Sequence, residues 1–345
     1  MTGRASGCHD ETNTARSDRV PGVSWAVTLL LWALALPGCS DEKPLQPLSI
    51  FPGPGPAASL FQAAIEKGFF EDAGLQVTLL RYETGPQSLA ALREGTLDVA
   101  HPSDFAFARH AFRHRDLRIV GSVIRWNGME IVTRKDRGIL RPADLKGKRI
   151  GVTLGTQSEF ALAGFLISNR LANDQVNIVD IPSRKGTVTA VVSGEVDAVV
   201  TVNQFVHQIE KKMGDRVNTW RLQENFLAFP LLVTTRKKID ANPEIFQRLL
   251  KAMKRAVDYA NENPAEMKRI ANTVYGYDEA FLEFFWKRIR FEMSLPQVLL
   301  LVLENEARWL MARNLVEAES VPNYLKFIHF DAMDAVSPQA VTIVR

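Results

Sequence analysis

Three short loops carry the residues whose types and spacing could do chemistry. Leu154-Gly155-Thr156-Gln157-Ser158 follows an apolar strand-like run and opens a helical pattern. Free backbone N–H groups at such a start, with the hydroxyls of Thr156 and Ser158, suit an anionic head group. Thr156 is equally placed to cap the helix. His101-Pro102-Ser103-Asp104 holds the matching position earlier in the chain, where Ser103 or Asp104 caps a helix or faces a ligand. Thr201-Val202-Asn203-Gln204 is the third loop. Its Asn203 offers a donor and an acceptor without charge, as reversible binding requires, and Gln204 adjoins it. Pro54 lies in the rigid Pro52–Pro56 loop. Trp126 and Asn127 follow another strand, where a ligand-facing aromatic wall and a core tryptophan both fit. Arg184 and Lys185 open a further helix, either to counter an anion or as exposed surface. The candidate ligand-binding set is therefore Pro54, Ser103, Asp104, Trp126, Asn127, Gly155, Thr156, Gln157, Ser158, Asn203 and Gln204.

Catalysis finds little support. The sequence has no phosphate-binding P-loop and no Gly-x-Ser-x-Gly. His110 and His114 stand at i, i+4, but Ala111 occupies the place of a metalloprotease glutamate. No catalytic residue, metal site or cofactor is expected, and the chain reads as a non-enzyme. The net charge of +3 is too mild for nucleic acid. Arg109, Arg113, Arg115 and Arg118 do cluster with the two histidines, as a solvated face or a docking patch for a membrane partner.

The apolar run Val23–Leu36 is 14 residues long. A bilayer-spanning helix needs about 20, whereas the core of a cleavable export signal is about 7–15 residues. Arg16 and Arg19 give it a positive flank; an uncleaved anchor is the alternative. Leu36-Pro37-Gly38-Cys39 resembles a bacterial lipobox, which implies a lipid on Cys39. The other cysteine, Cys8, lies within the leader, so the mature domain would hold no thiol for a disulfide or a nucleophile.

From Leu48 onward strand-like runs alternate with helical ones, which argues for α/β architecture with mostly parallel sheets. A shift of 99 residues maps Val77 onto Val176, Gly95 onto Gly194, Leu97 onto Val196 and Asp98 onto Asp197. Each Gly ends a helix before a buried strand. Two similar lobes follow, and after Thr234 the pattern turns helical. The expected plan is a signal at 1–38, a tether at 39–47, and the first part of lobe 1 at 48–130. Lobe 2 with hinge strands follows at 131–233, and a helical part at 234–345 returns to lobe 1.

Several stretches resemble the solute-binding proteins of ABC importers, of the nitrate/sulfonate/taurine/thiamine-precursor type. They are Ala63-Ala64-Ile65-Glu66-Lys67-Gly68-Phe69-Phe70, Leu92–Ala100, Asp144-Leu145-Lys146-Gly147-Lys148-Arg149, Gly194–Val199 and Asn242-Pro243-Glu244. The resemblance covers roughly residues 48–315 and implies a two-lobed, type II periplasmic-binding-protein-like fold. It also implies a small anionic or polar organic solute, such as a sulfonate, taurine, nitrate or a pyrimidine-type compound. The expected partners are an ABC permease and its ATPase, with the receptor a monomer held extracytoplasmically to a bacterial membrane through Cys39. An exported enzyme or signalling adaptor on the same scaffold, related to thiamine-pyrimidine-precursor proteins, is the alternative.

Overall fold

The computed structural model describes residues 44–345 except Pro54 and 223–227. The expected export segment, Cys39 and Pro54 thus lie outside the described residues. Residues 44–345 form one compact unit.

Lobe 1 begins with β1 (Gln46–Ile50), α1 (Ser59–Glu66), α2 (Phe69–Asp72), β2 (Leu75–Leu79), α3 (Gly85–Glu94), α4 (Asp104–Ala111) and β3 (Leu117–Trp126). Local sequence sets these limits. Thr84 and Gln87 form a reciprocal capping box at the start of α3, and Gly95 ends it at φ +82°, a conformation that costs little without a Cβ. Lobe 2 then runs through β4 (Met129–Arg134), β5 (Arg149–Val152), α5 (Gln157–Ser168), β6 (Asn177–Asp180), α6 (Arg184–Ser193), β7 (Ala198–Val202), α7 (Asn203–Met213) and β8 (Val217–Arg221). The chain returns with β9 (Leu231–Thr235), α8 (Arg236–Ala241), α9 (Pro243–Glu262), α10 (Pro264–Tyr275), α11 (Glu279–Trp286), β10 (Ile289–Ser294), α12 (Gln297–Ala312) and α13 (Asp331–Val336).

In lobe 1, β1 pairs parallel with β2, and β3 lies antiparallel between β9 and β10. Bridges at Ile50–Val99 and Ala100–Val233 join the two groups into one sheet. The five strands of lobe 2 are ordered β6-β5-β7-β4-β8. Alternating side chains put Ile131 and Val200 in a core under α5, and Val132 and Val199 in a second core under α6 and α7. The lobes share a device that the 99-residue register anticipates. Asp98 accepts the N–H of Ser49 at 2.8 Å, and Asp197 accepts that of Arg149 at 3.0 Å. Gly95 and Gly194 stand at φ +82° and +83°.

Three boundaries differ from expectation. Lobe 2 starts at Met129 rather than 131, and its last strand ends at Arg221. Leu231–Thr235, expected as a hinge strand, pairs with β3 in the lobe 1 sheet. Every residue of β4 and β9 is buried, so their burial pattern does not say which sheet holds them. The expected 39–47 tether also loses Gln46 and Pro47 to β1. The chain therefore crosses between lobes at Asn127-Gly128 and again between Leu222 and Pro230.

Candidate functional site

The loops selected by sequence gather where the strands of both lobes end, as expected for open α/β sheets. Many of their polar groups bond each other across the two lobes. Asp104 is fully buried, and its carboxylate accepts from the backbone N–H of Phe105 and Phe229 and from Gln157 Nε2, each at 2.9 Å. Gln157 is the first residue of α5, so this bond ties lobe 1 to lobe 2. Burial pushes the Asp104 carboxyl up to about 6, against the pull of its three donors. Beside it, Arg109 Nη1 donates to Gly155 O at 3.2 Å, and Arg313 Nη2 approaches Glu159 Oε1 at 2.5 Å. Phe105, Phe160 and Trp309 close that side, with ring centroids 5.7–6.0 Å apart.

Ser103 caps α4 by accepting from Ala106 N–H at 3.2 Å. Thr156 accepts from Ser158 N–H at 3.2 Å and donates to Thr153 O at 2.7 Å. Gly155, at φ +68°, donates its N–H to Glu159 Oε2 at 2.7 Å. Ser158 is buried one step into α5. Pro52, before the undescribed Pro54, accepts from His101 Nδ1 at 3.0 Å. That ring is buried, and burial lowers it to about 4, so it is neutral at neutral pH.

The hinge holds Trp126, Asn127 and Asn203. With its amide oriented as its neighbours require, Asn203 accepts from Trp126 Nε1 at 2.9 Å and donates to Gly128 O at 3.0 Å. Asn127 donates its N–H to Arg288 O at 3.0 Å. A Cβ on Gly128 would strike both the Asn203 amide and the Trp126 indole. Next to this knot, Trp126, Gly128, Met129, Ala161, Leu222 and Ala228 line a small hollow, partly open to solvent. Gln204 accepts from Tyr277 Oη at 3.5 Å, and His207 lies between Phe281 and Phe284, 3.7 Å from Asp278. These contacts join α7 of lobe 2 to α11.

Sequence reasoning passed over Glu159 and Arg313 and read Arg109 only as part of a basic face or docking patch; their bonds between the lobes carry no local motif. It left Arg184 either as a counter to an anion or as exposed surface. Arg184 keeps solvent access, yet surrounding protein desolvates its guanidinium enough to pull it below the ordinary arginine value. Among the described residues no carboxylate pairs with it. Ser183 caps α6 beside it through Gly186 N–H at 3.1 Å.

A protein-family profile described as NMT1/THI5 like matches residues 56–267. The chain is 28% identical over 229 residues to a Brucella abortus protein named as a candidate binding protein, spanning 65% of this chain and 70% of that one. It is 26% identical over 237 residues to a Haemophilus influenzae protein provisionally named for thiamine biosynthesis, spanning 68% and 74%. Its fold is similar to that of the alkanesulfonate-binding protein SsuA from Xanthomonas axonopodis pv. citri. That match has a TM-score of 0.66 at 20% identity, over 87% of this chain and 99% of that one. The Escherichia coli aliphatic sulphonate-binding protein SsuA gives 0.68 at 16% identity, over 84% and 98%. The desulfurization enzyme DszB gives 0.63 at 17%, over 85% and 99%.

Proposed function

We propose a solute-receptor function for this chain, which belongs to the NMT1/THI5-like family. The receptor is extracytoplasmic, closes its two lobes on a small anionic or polar organic solute, and delivers it to an ABC permease and ATPase. The observation that carries the reading is the cleft itself. Among the described residues the two lobes face each other with polar loops, and side chains bridge them on both flanks. A ligand that touches both lobes stabilises the closed state by its differential affinity.

Arg184, at the first position of α6, is the group that favours an anion. Sulfonates, taurine, nitrate and pyrimidine-type compounds are the solutes to screen by thermal shift. A ligand at 100 times its Kd adds about 2.7 kcal/mol to stability. Arg184→Gln should remove the shift given by an anionic hit; an undiminished shift would place recognition elsewhere. The DszB fold favours the alternative of an exported enzyme. Beyond Cys39 the sequence has no thiol, which argues against a cysteine-based reaction. Turnover of a solute that gives no thermal shift would decide for the enzyme.

Lipid attachment at Cys39 belongs to the same reading, and no helix among the described residues is long and apolar enough to cross a membrane. Palmitate labelling of the wild type, absent in Cys39→Ala, is the expected result.

A further inference from the structure

We propose that Arg288 is the pin of the hinge, a positioning residue that holds the axis of lobe closure at the Asn127-Gly128 crossing. Arg288 lies in lobe 1, in the turn between α11 and β10, beside the pairing of Ile289 with Trp126. It grips the crossing from both sides. On the lobe 1 side its carbonyl accepts the N–H of Asn127 at 3.0 Å. On the lobe 2 side its Nε and Nη2 donate to Glu130 Oε1 at 3.2 and 3.0 Å. Glu130 is the second residue of β4, so only Gly128 and Met129 separate the two gripped residues. The guanidinium is itself held. Nη1 donates to Phe284 O at 3.0 Å, and the group lies over the Phe284 ring, 3.6 Å from its centroid. Phe284 belongs to α11 yet packs against the lobe 2 core under α6 and α7.

Such a pair is a weak source of stability. The Glu130 side chain is 2% exposed and that of Arg288 15%. Burial raises the Glu130 carboxyl against the pull of Arg288, with Glu210 adding to the rise and Arg221 opposing it. Its second oxygen has no hydrogen-bond partner among the described residues. Two apolar side chains of similar volume would serve stability as well or better. What the pair supplies in their place is direction. Charge-assisted bonds from a planar guanidinium fork fix the angle between β4 and the α11–β10 turn.

The two crossings lie side by side at this point. Trp126 and Ala228 exchange N–H···O bonds at 3.1 and 2.9 Å, and Leu222 N–H donates to Met129 O at 3.3 Å. Chain connectivity holds these points together whatever the lobes do, so the axis of rotation runs close to them. Displacement grows with distance from an axis. The Arg288 grip, made on the crossing itself, therefore persists as the lobes open. The Glu159–Arg313 bond, made outside the crossings, is free to part. Arg288 thus sets the direction from which lobe 2 arrives, and the flank bonds set how far it closes. The pin rests on the proposed function only in that the lobes close; solute identity does not enter.

The test uses residues 44–345, a compact unit with its own cores. That span contains no cysteine, so spin labels attach only where cysteines are introduced. Lys251→Cys on α9 and Ile167→Cys on α5, both exposed, put one label on each lobe. Double electron–electron resonance then reads the distance between lobes without solute. E130M/R288M removes both charges, so it should keep or raise the wild-type thermal transition. It should nevertheless broaden the distance distribution and shift its mean. R288K keeps the charge and orphans no acid but loses the fork, and should broaden the distribution to a lesser degree. A distribution as narrow as the wild type's in either variant would overturn the proposal, leaving the pair a merely structural contact. Such a failure would leave solute binding to be judged by thermal shift, and a failed solute screen would leave the pin standing.

Discussion

Glu306 shows how a single residue can work against the fold that contains it. Its side chain is fully buried and neither carboxylate oxygen has a hydrogen-bond partner among the described residues. Burial, with Asp104 adding to it, holds its carboxyl well above the ordinary value of 4.5. The sign of the pH effect follows. Below 4.5 both folded and unfolded chains carry the proton. As pH rises, the unfolded chain releases it and the folded chain does not, so stability is lost. Glu306→Leu should therefore raise the thermal transition, on the order of 1–3 kcal/mol at pH 8, with the gain shrinking toward pH 4. A gain that stays constant with pH would show that packing, not ionisation, is responsible. The sequence did carry a signal for this burial. Leu299, Leu303, Glu306 and Leu310 form one stripe of α12, and Glu306 falls in its apolar line. By contrast, no local pattern could announce that Asp104 and Gln157, 53 positions apart, would meet, because that contact depends on the placement of two lobes.

At the scale of elements, helices were the most legible part and hinge strands the least. The long face of α9, with Pro243 in its first turn, reads directly from spacing. β8 and β10 have no counterpart in the sequence reading. β8 is half-buried at a sheet edge with polar Asn218 and Thr219, and β10 follows α11 with only Lys287-Arg288 between. Each hides in the polarity of its neighbours. The hinge is tighter than its composition suggests, since Trp126, Gly128 and Asn203 interlock. Gly128→Ala inserts a methyl where the Trp126 and Asn203 side chains already meet. The expected cost is about 1–3 kcal/mol, read by denaturant unfolding, together with weaker solute binding. An unchanged midpoint would mean that the two side chains yield freely and that the crossing is soft.

The whole molecule was legible as two similar lobes, because the Asp98–Ser49 and Asp197–Arg149 contacts repeat one local device at a near-constant offset. Their mutual approach was not legible, because it is made by contacts between residues far apart in sequence, many of them from the C-terminal helices. α12 supplies Trp309, and Arg313 at its end reaches Glu159 in lobe 2. α11 meets α7 on the other flank. The helical third thus belongs to lobe 1 by its core and to the closed state by its edges. Gln157→Ala with Arg313→Ala removes two of the three charge-assisted bonds on the α12 flank, leaving Arg109–Gly155, while each lobe's core stays intact. Bonds to charged groups contribute about 1.5–3 kcal/mol each when buried, and less at an exposed guanidinium. Small-angle scattering of the ligand-free double variant should therefore report a larger radius of gyration than the wild type, and saturating solute should bring the two together. Below about pH 6 Asp104 takes up its proton and its bond to Gln157 loses charge assistance, so the wild type should expand toward the variant. Equal radii at every pH would mean that the α7–α11 flank and the Arg109–Gly155 bond suffice to set the closed state.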